Sequence, residues 1–242
     1  MRAALAFIAS TALAAPQVRD MSTDRPDQTE SPYTVPAGRL QVELDFFKAT
    51  LDHGTEAWNF APVNLKLGLT ERVDLQAVFD SYTRTGSEGD WGDLTLRLKV
   101  NLWGNDGGKT AAAVMPFVNV PLHGEGEVEG GIILPLAVEL PGGWGMGVMT
   151  ELDWLADADG RGHHAEWLNS ITFSHAITER LGGYVELVAI VSAESGAPWV
   201  GQFDCGLTFA LTPDVQLDAG CNFGLTRSAP DAQPFVGISL RF

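Results

Sequence analysis

The stretch Leu94-Thr95-Leu96-Arg97-Leu98-Lys99-Val100-Asn101-Leu102-Trp103 sets an apolar residue at every second position and a polar or charged one between. A period of two gives an extended chain one greasy face and one polar face, whereas a helix needs apolar positions three and four apart. Working outward, Leu40, Val42, Leu44 and Phe46 alternate with Gln41, Glu43, Asp45 and Phe47, and Val63, Leu65, Leu67 and Leu69 with Asn64, Lys66, Gly68 and Thr70. Residues 73–81, 110–120, 130–140, 144–155, 165–176, 181–192, 200–212, 215–225 and 233–242 follow the same rule, which predicts about twelve strands. Most approach the roughly 9–11 residues of a tilted strand crossing a bilayer. They exceed the roughly 5–6 residues usual in soluble sheets.

The connections alternate in length. Short turns fall at Thr70-Glu71-Arg72, 105–108, Pro141-Gly142-Gly143, Thr178-Glu179-Arg180 and Thr212-Pro213-Asp214. Longer polar loops fall at 52–56, 83–90, 122–129, 156–164, 193–198 and 227–232. Short turns at one rim and long loops at the other predict an all-β fold: an antiparallel, up-and-down transmembrane β-barrel of about 12 strands, with both termini on the short-turn, periplasmic side.

Lipid as the medium for the greasy face is argued from tryptophan. Trp58, Trp91, Trp103, Trp144, Trp154, Trp167 and Trp199 all fall near predicted strand ends, where an amphipathic ring meets the headgroups. The last strand carries Val236, Ile238, Leu240 and Phe242. A terminal aromatic resembles the signal that outer-membrane barrels present to their assembly machinery, so that machinery and outer-membrane lipid are the expected partners. Arg2, the apolar stretch 3–9 and Ala12-Leu13-Ala14 read as an export signal over 1–14. Residues 15–38 then hang in the periplasm or fold into the lumen as a plug, and 39–242 form the barrel. The destination is the outer membrane of a Gram-negative bacterium.

The sequence holds 15 basic and 31 acidic residues among 242, a formal charge of −16, which argues against nucleic acid as a partner. By alternation the lumen face carries Glu43, Asp45, Asp74, Asp80, Asp93, Glu139, Glu151, Asp153, Glu186, Asp204 and Asp218, against Lys66, Arg97, Lys99 and Arg241. That balance fits either a cation-preferring passage for a small-molecule solute or a packed polar interior. Cys205 and Cys221 stand symmetrically about the turn at Pro213. They are expected opposite each other on the lipid face, either as a disulfide or as two small apolar residues.

His53, His123, His163 and His164 fall in outer loops and read as loop polarity rather than a metal site, while His175 reads as interfacial. No cofactor is expected. Asn169, Ser170, Ser174 and His175 supply a hydrolase only by composition, because adjacent residues of one strand point to opposite faces. No G-x-S-x-G, P-loop or H-E-x-x-H pattern occurs, and the chain is not expected to be an enzyme.

Asp24-Arg25-Pro26-Asp27-Gln28-Thr29-Glu30-Ser31-Pro32, followed by Val35-Pro36-Ala37-Gly38, resembles the segment ahead of the first strand in an outer-membrane transporter family. That family is named for the meta pathway of phenol degradation. The likeness extends to the Thr-Glu-Arg turns and to Phe242. It implies a barrel that passes small hydrophobic or aromatic compounds, and it carries over no catalytic residue. The competing expectations are a structural or adhesive barrel, a barrel-borne lipid hydrolase, and a soluble secreted β-protein.

Overall fold

The computed structural model describes residues 18–123, 126–157 and 160–242. The export signal expected over 1–14 lies outside the described residues. Fifteen strand segments form one sheet. Six of them join end to end in pairs, giving twelve barrel strands. β1 is Leu40–Asp52; β2 is Thr55–Phe60 plus Val63–Thr70; β3 is Val73–Phe79 plus Tyr82–Thr85; β4 is Glu88–Trp91 plus Leu94–Trp103. β5 is Thr110–Val120, β6 Glu129–Leu140, β7 Trp144–Ala156 and β8 His163–Ala176. β9 is Leu181–Ser192, β10 Val200–Thr212, β11 Val215–Gly224 and β12 Ala232–Arg241.

Each strand pairs antiparallel with its sequence neighbours, and β12 returns to β1 from Gln41↔Arg241 to Leu51↔Ala232. The seam runs to the last residue, where the Phe242 amide donates to the Leu40 carbonyl at 2.8 Å.

Burial is inverted relative to a water-soluble protein. Among the most completely buried side chains are Lys66, Lys99, Gln41, Gln76, Glu43, Glu186, Asp74 and Asp204. Leu65, Leu67, Leu69, Leu96, Leu98, Val185, Leu187 and Leu207 are exposed on the outside. Water would not tolerate so large an apolar surface, and hydrocarbon would not tolerate the reverse. All seven tryptophans are exposed. Trp58, Trp91, Trp154, Trp167 and Trp199 lie toward the long-loop rim, and Trp103 and Trp144 toward the short-turn rim.

The turn cassette has a physical cause. The Thr70, Thr178 and Thr212 hydroxyls accept from the amides of Arg72, Arg180 and Asp214 at 3.2, 3.3 and 3.2 Å. Each threonine thus closes a tight turn with its own side chain.

β1 to β4 depart from strict alternation at one common height. β1 slips one residue between Asp45 and Phe47. The two halves of β2, β3 and β4 meet at Ala61-Pro62, Asp80-Ser81 and Gly92-Asp93, and Ala61 has φ of 52°. Below this row the outward residues of β1 are Leu40, Val42 and Leu44; above it they are Phe47 and Leu51, paired with Val236 and Ala232 of β12, and Ala49, paired with Trp58 of β2. The same change of phase turns Trp58, Phe60, Tyr82 and Trp91 outward. Phe47 stands 5.9 Å from Trp58 between ring centroids, and Tyr82 5.4 Å from Trp91. A row of bulges therefore keeps the ladders in step while carrying aromatic rings to the lipid side.

This row corrects two sequence expectations. Residues 52–56 and 83–90 are not wholly loops: Thr55–Phe60 extends β2, and Tyr82–Thr85 with Glu88–Trp91 form a hairpin. Alternation read in one phase cannot follow a strand through a phase change. Similarly, His163 and His164 open β8 rather than lie in the loop before it.

Leu98 faces out and is 37% exposed. Leu98→Arg puts a cation into hydrocarbon at a cost of about 2–4 kcal/mol. It is expected to lose the heat-modifiable folded band on a cold denaturing gel, whereas Thr95→Arg, on the inward face, keeps it. Equal behaviour of the two variants would show that the faces are misassigned.

Candidate functional site

The described part of the chain ahead of β1 runs inside the barrel. Arg19 and Gly38 lie at the short-turn rim: the Arg241 guanidinium donates to the Arg19 carbonyl at 2.7 Å, and the Gly38 amide donates to Gly68 at 2.8 Å. Between them the segment rises into the lumen and returns as a strap, of which Asp24 to Glu30 form the inner part. Gly68 makes room for the return limb, since a Cβ there would lie 2.1 Å from the Pro36 carbonyl oxygen.

Ion pairs hold the rising limb. Asp24 bridges Lys66 at 2.5 Å and Lys99 at 2.6 Å, and Lys66 also meets Glu43 at 2.8 Å. Burial pushes the Asp24 carboxyl up, and the Lys66 and Lys99 ammonium groups more than reverse this, holding it well below the usual carboxylate range. Arg25 reaches Asp45 and Asp218, each at 2.6 Å, and lies over the Phe235 ring at 5.7 Å. Glu30 pairs with Arg97.

Backbone amides of the strap bind wall carboxylates as well. Gln28 and Thr29 both donate to Glu186 at 2.8 Å, and Val35 donates to Asp74 at 2.9 Å. The Gln28 amide side chain donates to Gln202 at 2.8 Å and to Asp204 at 2.7 Å.

The predicted lumen residues therefore face inward, but most pack against the strap instead of lining open water. Glu43, Asp45, Lys66, Asp74, Arg97, Lys99, Glu186, Asp204 and Asp218 all contact it. Glu139 lines a cleft of about 490 Å³ between strap and wall, with Ser22, Glu30, Tyr33 and Gly147. A second cleft of about 400 Å³ separates the strap from Tyr184, Thr208 and Gln216. Glu151 and Asp153 lie on β7 toward the long-loop side.

Sequence reasoning missed an apolar rib on the inner wall. Met115, Ile133 and Met149 are fully buried, with Phe117 and Leu168 packed against them. Its signal was present: β5 is apolar on both faces, Ala111, Ala113, Met115 and Phe117 inward and Ala112, Val114, Pro116 and Val118 outward.

Cys205 and Cys221 are register partners on the outward face, as expected, and both thiols are free in this structure. His175 stacks on Trp144 at 4.7 Å, and its Nδ1 meets the Gly143 carbonyl at 3.0 Å. Ser170 bonds Thr29 inside the barrel, while Asn169 faces out, so the residues considered for a hydrolase do not converge.

The family described as "Putative MetA-pathway of phenol degradation" matches residues 23–242. No curated protein matches the sequence. Among solved structures, an outer membrane channel of Pseudomonas putida F1 designated COG4313 is similar with a TM-score of 0.63 at 13% identity, over 88% of this chain and 98% of that one. The NanC porin is similar with a TM-score of 0.61 at 12% identity, over 81% of this chain and 98% of that one. At such identities the likeness concerns the fold.

Gly68→Val tests the seating of the strap. The added side chain meets the Val35 and Pro36 carbonyls, which are backbone atoms and cannot swing aside. The variant is expected to keep its heat-modifiable band but to be cut after Glu30 by a glutamate-specific endoproteinase at least about tenfold faster than the wild type. That is the outcome where a local opening loses about 1.4 kcal/mol. Unchanged protection would place the strap elsewhere in solution.

Proposed function

Since the chain belongs to the MetA-pathway phenol-degradation family, we propose that it is an outer-membrane channel for small, partly apolar solutes, closed in its periplasmic half by the strap. The observation that carries this reading is the rib of Met115, Phe117, Ile133, Met149 and Leu168 on the inner wall of a lumen rich in charged groups. Phe117 and Leu168 are only partly buried, so this wall would offer an aromatic or aliphatic solute apolar contacts where the strap yields.

The charges outside the strap set the sign of the traffic. Glu151 and Asp153 stand toward the long-loop mouth with Glu166 directly opposite Asp153. Carboxylates grouped at a narrow mouth repel anions and draw cations. Neutral and cationic aromatic molecules are therefore favoured over aromatic carboxylates. The exposed Phe242 ring at the short-turn rim suits presentation to the assembly machinery.

The same geometry makes the resting conductance low. Passage requires either the cleft of about 490 Å³ beside the strap or movement of the strap itself. Asp24→Asn removes the carboxylate shared by Lys66 and Lys99, and such a break in a buried pair costs about 3–5 kcal/mol.

In planar bilayers the wild-type chain is expected to give small, cation-preferring steps. Asp24→Asn is expected to give larger or more frequent openings, and Glu151→Gln with Asp153→Asn to weaken the cation preference. Folded protein that stays silent in both Asp24→Asn and Gly68→Val would overturn the channel reading in favour of a structural barrel.

A further inference from the structure

At the long-loop rim, two connections that are distant in sequence bring an imidazole and two carboxylates together. His164 is the second residue of β8 and points inward, paired with Leu155. Asp157 lies one residue beyond the end of β7, and Glu194 two residues beyond the end of β9. One ligand atom from each of the three lies within 4.8 Å of the other two.

From this geometry we propose a divalent-metal site of the zinc type, formed by Asp157, His164 and Glu194, with a fourth position open to water at the mouth of the lumen. A tetrahedral zinc ion holds nitrogen and oxygen ligands at about 2.0–2.2 Å, which sets the ligand atoms about 3.3–3.6 Å apart. With all three ligand atoms within 4.8 Å of one another, each separation need change by no more than about 1.5 Å to reach that spacing. Mixed imidazole and carboxylate donors select a first-row divalent ion over calcium, which takes oxygen ligands alone.

The backbone around the site is already tied. The Asp157 amide donates to Gly162 at 2.9 Å, and the Gly160 amide donates back to Asp157 at 2.8 Å. The Ala193 amide donates to Ala165 at 2.8 Å, extending the β8–β9 ladder to the residue before Glu194, and the Glu194 amide donates to the Ser192 hydroxyl at 3.1 Å. Asp157 and Glu194 are thus each held next to a backbone hydrogen bond at the end of their strand.

His164 Nδ1 lies 2.9 Å from Asp157 Oδ1, and their side chains are 12% and 30% exposed. An ion would take the place of this direct contact. His163 does not take part: it faces out, stacked on Trp154 at 6.0 Å and 3.3 Å from Glu127. The ion would join the β7–β8 turn to the β9–β10 loop at the point where a solute enters. The site is independent of the channel reading, because it requires only the fold.

The test is zinc titration of the full chain, folded in detergent micelles, against a chromophoric zinc chelator. One ion per chain is expected, with binding weakened at least about tenfold by His164→Ala and by Glu194→Gln and unchanged by His53→Ala and His123→Ala. Zinc-edge X-ray absorption should report a single imidazole nitrogen among oxygen ligands. All variants are first checked for the heat-modifiable band, and the two histidine controls guard against binding at loops in general. Absence of saturable binding below about 1 mM zinc, or binding that survives both His164→Ala and Glu194→Gln, would reduce the cluster to an ion pair only and overturn the proposal.

Discussion

Hydrocarbon offers no partner to a backbone N–H or C=O, and each one left unpaired costs several kcal/mol. This single constraint runs through the whole molecule. The sheet has to close, so β12 pairs with β1 down to the amide of the last residue. At one rim the chain reverses in tight turns, which threonine hydroxyls close. The changes of phase in β1 to β4 fall at one height, so their ladders stay paired above and below it. The aromatic cluster above them is what they gain.

Closure creates a second problem inside. A barrel of this size has more interior than its own side chains fill, and its apolar residues are committed to lipid. The wall accordingly faces inward with carboxylates and ammonium groups that would be costly if dry and alone. The strap answers part of this cost. Asp24 supplies the missing charge between Lys66 and Lys99, Arg25 joins Asp45 to Asp218, and the amides of Gln28, Thr29 and Val35 donate to Glu186 and Asp74. The acidity of the sequence is thus largely a set of acceptors for one piece of backbone, with a smaller remainder at the outer mouth.

The barrel was legible because its rule is local. Leu94 to Trp103 states inside and outside at every step, and the turns repeat the same chemistry. The strap was not legible. Residues 18–38 are polar without a period, and nothing in them distinguishes a segment in water from one whose partners lie 193 positions away, as Arg25 and Asp218 do. The upper halves of β2 to β4 were lost at the phase change. The apolar rib shows in β5 only as a strand apolar on both faces, a pattern that does not say which face meets lipid. Cross-strand juxtapositions such as Asp157, His164 and Glu194 depend on two loops meeting in space, which no single-strand pattern encodes.

The two halves of the inner wall are chemically unequal. Anchors for the strap concentrate on β1 to β4 and β9 to β12, through Glu43, Lys66, Asp74, Lys99, Glu186 and Asp218. The rib of Met115, Ile133 and Met149 lies on β5 to β7, and the larger cleft opens beside β6 to β8. Ion pairs therefore hold the strap toward one side, while toward the other it meets the rib and neutral hydrogen bonds such as that between Thr29 and Ser170. A plug bound equally all round would have to leave entirely to open a path. One bound on one side need only yield along the wall where it is held least.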